Sequence, residues 1–247
     1  MTTRAYERSL RAETVESLLV EAARAYNIDD IVILPIPTTR DGRHVNGHDV
    51  TLEAALLGAR RGSLVIGYGI HDYIKDTLAD RGAIVVDSEE DEEFLLDNAE
   101  LTAMATVGIL LNTEVRVPRD LSIGIVGYGR IGAALTRHLL YHGARVTVFT
   151  LSDEKRLDLS QCGIRTVSTR EPHELGSLDL LINTAPAVIF DTGEGSGFPT
   201  ALRVIDLASG TSFPGLASVE RYPSIPARMF PRSAGGAWYR SVMRHIR

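Results

Sequence analysis

The sequence predicts an α/β fold, with one doubly wound parallel sheet and a second, smaller α/β domain. Two observations predict this class. Short apolar runs alternate with helical patterns over the first ninety residues, and a glycine-rich turn near residue 127 lies between two further apolar runs. Alternating strands and helices favour parallel sheets, because each helix carries the chain back to the same end of the sheet.

The elements of the first domain follow from the spacing of apolar residues. Helices show apolar side chains every three or four positions, while buried strands show short continuous apolar runs. The last helical pattern becomes almost wholly apolar toward its end, so we expect a buried connector that does not span a membrane. Helices are expected at residues 9–26, 51–61, 71–81 and 91–113, and strands at 30–35, 63–67 and 83–86.

The second half of the chain repeats the alternation after the glycine-rich turn. We expect strands near residues 165–167, 178–183 and 203–207, and a last helix at 237–246. The domain organisation expected from these patterns is a small N-terminal α/β domain at 1–95, a connector helix at 96–117, a nucleotide-binding domain at 118–236 and a C-terminal helix at 237–247.

Residues 127–132 read Gly-Tyr-Gly-Arg-Ile-Gly, between an apolar run and a helical pattern. The first glycine permits a tight turn, the second leaves room for a pyrophosphate, and the third lets helix and strand pack closely. An anion then binds to the N–H groups that open the helix. This context predicts a Rossmann-type dinucleotide site at Gly127, Tyr128, Gly129, Arg130, Ile131 and Gly132.

The end of the next strand reads Val148-Phe149-Thr150-Leu151-Ser152, without the carboxylate that would bond the ribose of NAD. Thr150 and Ser152 can bond a 2′-phosphate, with Lys155 and Arg156 close behind as counter-charges, which favours NADP. In the alternative, Asp153 or Glu154 turns inward and holds the ribose of NAD.

Two later strand ends bring small polar residues to the same edge of the sheet. We interpret them as walls of the cofactor site; the alternative is ordinary capping of strand-to-loop turns. The candidates are Asn183, Thr184, Ala185, Ala208 and Ser209.

The proline-rich segment 223–236 leads into the last helix. Arg228 and Arg232 can hold a carboxylate, and Ser233 lies at an anion-friendly helix start. The alternative is that these arginines pair with surface acids, such as the run at 89–93. For catalysis the sequence offers one weak candidate, His71, for which helix capping is favoured over proton transfer.

Composition excludes several classes. The net charge of −6 argues against a general nucleic-acid binder. The N-terminus does not resemble a targeting sequence and no apolar run reaches the length of a membrane span, so we expect a cytoplasmic protein. Cys162 is the single cysteine and is expected to be a buried thiol, and the histidine spacing indicates no metal site.

Seven segments, taken in order, resemble one family. They are LPIPTTRDG, GYGI, DNAELTA, GIVGYGRIG, LINTAPAVI, VIDLASG and PSIPARMFPRSAG, within residues 30–236. Together they resemble the A subunit of dipicolinate synthase, which is itself related to D-2-hydroxyacid dehydrogenases.

The resemblance implies oxidation of a dihydrodipicolinate-type cyclic imine with a nicotinamide cofactor, beside a flavoprotein-like partner subunit. It also implies that Asn98 and Thr102, together with Arg228, Arg232 and Ser233, lie near a dicarboxylate. A homodimer is the default for related enzymes. Two departures stand out: only a helix is expected ahead of the LPIP segment, and Met104 replaces a glutamate of the family pattern.

The sequence thus favours an NAD(P)-dependent oxidoreductase that acts on a small carboxylate-bearing substrate. Two alternatives remain. One is a cofactor-binding regulatory or partner subunit without turnover, favoured by the two departures. The other is a D-2-hydroxyacid dehydrogenase, which ranks lower because residues 224–236 contain no histidine for that group's histidine–carboxylate pair.

Overall fold

A computed structural model describes residues 1–7, 9–190, 197–199, 201–208, 212–213, 216 and 218–246. It confirms the α/β class, with two parallel sheets flanked by helices. The chain divides into two compact units, each built on one sheet. The first unit comprises Met1–Asn98 and Pro226–Arg247, and the second comprises Ala99–Ile225.

The first unit contains a four-stranded sheet in the order β1-β2-β3-β4. Helices α1 and α8 pack on one face, and α2 and α3 on the other. Each of the three connections joins a strand to the next strand in the same direction across the sheet. Because α1 crosses one face and α2 and α3 cross the other, the connection through α1 has the opposite handedness to the other two. The strands are Thr2–Ala5, Asp30–Ile33, Ser63–Gly67 and Ile84–Asp87, and the helices are α1 Leu10–Ala25, α2 Leu52–Leu56, α3 Asp72–Asp80 and α8 Pro231–His245.

Strand β1 corrects the expectation that only a helix precedes the LPIP segment. Three of its four residues are polar and none is buried, so no apolar run marks them in the sequence. Pairing creates the strand: Thr2–Ala5 lies parallel to Asp30–Ile33, and the N–H of Thr2 donates to the carbonyl of Asp29 at 3.0 Å. A βα unit therefore does precede β2.

Helix α8 returns to the first unit and packs on α1. It begins at Pro231, six residues before the predicted start, because proline suits the first turn of a helix. A Cβ on Gly235 would lie 2.6 Å from Cβ of Thr14, so the two helices approach closely at this glycine. The fully buried Trp238 lies under the Arg11 guanidinium, 5.4 Å from the ring centroid.

The second unit contains a six-stranded parallel sheet in the order β10-β9-β8-β5-β6-β7. This is the arrangement of two mononucleotide-binding halves, whose direction of winding reverses between β5 and β8. The strands are β5 Ser122–Val126, β6 Arg145–Phe149, β7 Arg165–Val167, β8 Leu180–Asn183, β9 Arg203–Asp206 and β10 Val219–Arg221, and the helices are α5 Arg130–Tyr141 and α6 Asp153–Gln161.

The long helix α4, Glu92–Thr113, is less buried than the sequence predicts. Helix α4 is long and apolar enough to cross a membrane, but the core helices of soluble proteins meet the same criterion. Half of its most apolar stretch is buried within the structure. Met104 and Leu111 are 48% and 56% exposed, because packing covers only part of a helix that is apolar all round.

Cys162 is exposed, contrary to the expected buried thiol, since it caps the C-terminal end of α6 and precedes a surface turn.

The short helix α7, Ile225–Met229, precedes α8 and is absent from the elements expected of the sequence. It begins one residue after Ser224, which has a positive φ of 52°. The prolines of this segment indicate a rigid lead-in to the last helix, whereas the backbone forms a helical turn.

Candidate functional site

The glycine-rich turn lies at the carboxyl end of β5, beside the point where the sheet reverses its winding direction. Gly127 has a φ of +87°, a backbone conformation that side chains other than glycine rarely adopt. Its N–H donates to the carbonyl of Phe149 at 2.9 Å. The neighbouring strand also stabilises the turn, since the Thr184 hydroxyl donates to the Val126 carbonyl at 2.9 Å.

The other two glycines have different structural reasons. A Cβ on Gly132 would lie 2.2 Å from the Gly127 carbonyl oxygen, so helix α5 can pack on the turn only with glycine there. A Cβ on Gly129 would meet nothing within 4 Å. The side-chain-free surface at Gly129 therefore leaves open space beside the start of α5.

Helix α5 begins at this open space without a side-chain cap. Gly129 is its N-cap residue and its first turn contains no acidic side chain. The N–H groups of a first helical turn have no partners within the helix, and the helix dipole favours an anion there. The residues present fit the pyrophosphate of a dinucleotide. Within this turn Arg130 is exposed, and Ile131 is half-buried.

Tyr128 and Lys155 connect the turn to the end of β6. The Lys155 ammonium donates to the Tyr128 carbonyl at 3.2 Å. Burial of the phenol raises the pKa of Tyr128, with a smaller contribution from the charge of Cys162. Lys155 thus links the start of α6 to the glycine-rich turn.

The β6–α6 loop is organised by its own polar side chains. Ser152 caps α6 and accepts from the Lys155 N–H at 3.2 Å, while buried Thr150 accepts from the Ser152 N–H at 3.3 Å. Arg156 donates to the Thr150 carbonyl at 2.8 Å and also pairs with Asp153. Asp153, the alternative ribose ligand, therefore has a cationic partner in this structure.

The ends of β8 and β9 are joined by a buried hydrogen-bond network. The Asn183 amide donates to Asp206 Oδ1 at 2.8 Å and to the Ala185 carbonyl at 2.9 Å, and its oxygen accepts from the Ala185 N–H at 3.2 Å. The N–H of half-buried Ala208 donates to Asp206 Oδ1 at 3.1 Å. Asn183 and Asp206 thereby fix the loop that flanks the glycine-rich turn.

Asp206 was not assigned a role from the sequence, although it ends a buried apolar strand. Its Oδ2 is buried and has no hydrogen-bond partner among the residues that the structure describes. Ser209, the last predicted wall residue, lies outside the described residues. An acidic residue at the end of a buried strand was the available signal for Asp206.

The candidates for substrate binding are distributed over both units. Thr102 in α4 is buried, and its carbonyl accepts from the Thr106 hydroxyl at 2.8 Å. Asn98 is half-buried, whereas Arg228, Arg232 and Ser233 are exposed. Neither arginine forms an ion pair with another described residue.

The acidic run at 89–93 has other partners than the two arginines suggested by the sequence. Arg244 in α8 bonds Asp91 at 2.7 Å and Glu93 at 3.0 Å. Lys75 pairs with Glu90. The alternative role for Arg228 and Arg232, pairing with this run, is therefore not what the structure shows.

His71 precedes α3 but its side chain does not cap the helix, contrary to expectation. The exposed imidazole stacks on Tyr73, with ring centroids 6.0 Å apart, because the aromatic ring two positions later offers an apolar surface. A Cβ on Gly42 would lie 3.2 Å from His71 Nε2, which places the histidine beside the loop that follows β2.

Comparison with known proteins identifies the class of the second unit. Residues 122–187 match the family described as the NAD binding domain of 6-phosphogluconate dehydrogenase. These residues include β5, the glycine-rich turn, α5, β6 and β8. This part of the second unit is thus similar to an NAD-binding domain. No curated protein matches the sequence.

The fold resembles those of several solved structures over nearly the whole chain. The A subunit of dipicolinate synthase from Bacillus halodurans superposes with a TM-score of 0.78 at 18% identity, over 99% of this chain and 97% of that one. The corresponding chain of Bacillus subtilis dipicolinate synthase gives 0.75 at 18% identity, over 98% and 93%. Salmonella D-lactate dehydrogenase gives 0.60 at 12% identity, over 100% and 96%.

These TM-scores establish a common fold. The resemblance to the A subunit of dipicolinate synthase that the sequence motifs indicated is confirmed at this level.

Proposed function

We propose that the protein is an NAD(P)-dependent oxidoreductase. The observation that carries the proposal is the glycine-rich turn: Gly127 takes a left-handed backbone, Gly132 packs directly on it, and Gly129 leaves open space at an uncapped helix start. The match of residues 122–187 to an NAD-binding family supports the same conclusion. A nicotinamide would supply the hydride chemistry, and this chain would bind and orient it.

We propose further that the cofactor is NADP. Within the described loop after β6, Lys155 contributes an ammonium group that contacts the glycine-rich turn, and Ser152 and Thr150 contribute hydroxyl groups. The carboxylate of Asp153 is paired with Arg156. A cation with adjacent hydroxyls suits a 2′-phosphate better than the diol of an NAD ribose.

The proposed substrate is a small carboxylate-bearing compound of the dihydrodipicolinate type. The fold likeness to the A subunit of dipicolinate synthase supports this class. Arg228 and Arg232 are exposed and form no ion pair with other described residues, so both guanidinium groups are available to a carboxylate.

Fluorescence titration of the purified protein with NADPH and NADH tests cofactor binding. A series of 2-oxo acids is then added to the better complex, dihydrodipicolinate generated in situ is added to the protein with the corresponding oxidised nucleotide, and nicotinamide absorbance is followed. We expect saturable binding, tighter for NADPH, and acid-dependent turnover. If neither NADPH nor NADH binds, the proposal is refuted.

Variants R228A and R232A test the substrate class. We expect the Michaelis constant for the carboxylate substrate to rise at least about tenfold, with the NADPH dissociation constant nearly unchanged. R240A is the matched control, because Arg240 lies on the same helix as Arg232 but pairs with Asp97 at 2.7 Å. Equal Michaelis constants in all three variants would exclude the two arginines.

A second candidate is a cofactor-binding partner subunit without turnover. Met104, where the family pattern has glutamate, favours it, although β1 removes its other support. Saturable NADPH binding without turnover of any tested acid, with either the reduced or the oxidised nucleotide, would favour this candidate.

The cellular setting is also a proposal: a cytoplasmic homodimer that binds no nucleic acid and acts beside a flavoprotein-like subunit. The net charge of −6 supports the exclusion of nucleic acid. The resemblance to the synthase supports the partner. Light scattering tests the dimer, and co-expression with a neighbouring flavoprotein gene tests the complex.

A further inference from the structure

A histidine–aspartate pair lies in the loop that follows β2 in the first unit. His44 Nδ1 bonds Asp41 Oδ2 at 2.7 Å. The carboxylate therefore orients the imidazole and favours the tautomer that carries its proton on Nδ1. The other ring nitrogen, Nε2, has no partner among the residues that the structure describes.

The backbone holds the carboxylate of this pair in place. Asp41 Oδ1 accepts from the N–H groups of Arg43 at 2.9 Å and of His44 at 2.8 Å. These bonds, the N–H of His44 above all and then its ring, hold the pKa of Asp41 well below its usual range. The carboxylate thus remains ionised and able to stabilise an imidazolium.

The loop itself is anchored on both sides of the pair. The Thr38 hydroxyl accepts from the Tyr68 N–H at 2.8 Å, which attaches the loop to the end of β3. After the pair, the N–H of Val45 donates to the Val50 carbonyl at 2.9 Å, and the Val45 side chain is fully buried in the core. His44 is thereby fixed in place on an irregular segment.

The pair is part of the lining of an open surface cavity of about 440 Å³, formed by residues 40–41 and 44–49. Arg40 and His48 contribute cationic or hydrogen-bonding groups to this lining. The loop leaves the carboxyl end of β2, the edge at which open α/β sheets bind ligands. The charged and titratable groups that share this lining with His44 are Arg40, Asp41, His48 and Asp49. Beyond the lining, Glu53 of α2 interacts with Arg43, and His71 before α3 lies beside Gly42.

We infer that Asp41 and His44 form an acid–base pair, and that Nε2 of His44 exchanges a proton with a small carboxylate-bearing ligand in this cavity. The chemical role rests on the proposed function. Oxidation by an oxidised nicotinamide removes a hydride from carbon and releases a proton. In the proton step, a C–H bond of the ring carbon next to the one that loses hydride breaks and its electron pair enters the aromatic ring; an N–H bond forms at Nε2, and the imidazolium later returns the proton to water.

Nuclear magnetic resonance of the ¹⁵N-histidine-labelled full chain tests the pair without turnover. We expect neutral His44 to carry its proton on Nδ1, and its signals to shift when dipicolinate is added, while those of the exposed His173 stay fixed. The variant H44Q assigns the signals. D41N should return His44 to the Nε2–H tautomer, whereas D49N, which changes another carboxylate of the same lining, should leave it unchanged.

The inference would be overturned if neutral His44 in the wild type carried its proton on Nε2, or if its signals did not shift when dipicolinate is added. Because no nucleotide is present, this result is independent of the NADPH titration that decides the proposed function. Where turnover is found, H44Q should lower kcat about 100-fold or more with a change in KM below about threefold, and should remove the acidic limb of the pH profile. H173Q should retain that limb.

Discussion

The loop after β5 and the loop after β2 both leave the carboxyl end of a parallel strand, but different atoms stabilise them. The glycine-rich turn is stabilised by backbone contacts, with Gly132 packed against the Gly127 carbonyl and an uncapped helix start beyond it. The loop after β2 is stabilised by side chains, with Asp41 bonded to two backbone N–H groups and to His44. The first arrangement offers N–H dipoles to an anion, while the second offers a titratable nitrogen.

This difference predicts different responses to change. A binding surface made of backbone is altered by added volume and is insensitive to pH, because it contains no titrating group. A binding surface made of an oriented pair of titratable side chains tolerates added volume nearby, but its binding depends on the protonation state of those side chains. The following predictions, in order of decreasing effect, test this contrast.

G132A should have the largest effect. The new Cβ would lie 2.2 Å from the Gly127 carbonyl oxygen, so the turn must shift. We expect a loss of about 1–3 kcal/mol in the free energy of unfolding and no measurable NADPH binding, assayed by urea denaturation and nucleotide fluorescence. G176A is the control, since a Cβ on Gly176 meets nothing within 4 Å. Normal NADPH affinity in G132A would mean that the turn does not form the site.

G129A should separate binding from stability. Its Cβ meets no protein atom within 4 Å and the backbone suits alanine, so the free energy of unfolding should change by less than about 0.5 kcal/mol. The same Cβ would occupy the proposed pyrophosphate position, and the NADPH dissociation constant should rise at least about tenfold. Unchanged affinity would place the pyrophosphate elsewhere.

K155M should change cofactor preference rather than overall binding. Removal of the ammonium that contacts the Tyr128 carbonyl should lower the ratio of NADPH to NADH affinity about tenfold, in parallel titrations. Lys75 is the only other lysine in the sequence, which makes K75M the matched control. An unaltered ratio would contradict the assignment to a 2′-phosphate.

The pH response should be the smallest effect, and it should be confined to the loop after β2. Because the pKa of Asp41 is lowered in the folded loop, its stabilisation is present above the unfolded value of about 3.9 and is lost as pH falls. The opening equilibrium of the Arg43 and His44 amides should rise about fivefold from pH 4 to pH 3, measured by hydrogen exchange corrected for intrinsic rates.

D41N should remove this dependence, and the amides of Gly129 and Gly132 should show none. A rise of the same size in D41N would mean that another group controls opening of the loop.

Much of the fold could be predicted from the sequence because its signals are local. Strand β7 was predicted at its observed residues, and α1 and α4 to within one residue at each end, since apolar spacing over one segment defines them. Strand β1 could not be predicted, because Thr2–Ala5 becomes a strand only through pairing with residues near Asp30. Packing likewise decided that Met104, Leu111 and Cys162 are exposed.

The sequence by itself determined the class of site, because the glycine spacing, the strand before it and the helix after it lie within some thirty residues. Only the tertiary structure decided the partners of its polar groups. Asn183 at the end of β8 bonds Asp206 at the end of the neighbouring strand β9, and Arg244 in α8 bonds Asp91, which lies 153 positions earlier in the sequence. Hydrogen bonds and ion pairs form between atoms a few ångströms apart, and separation along the chain does not reveal that distance until the sheets and helices have packed.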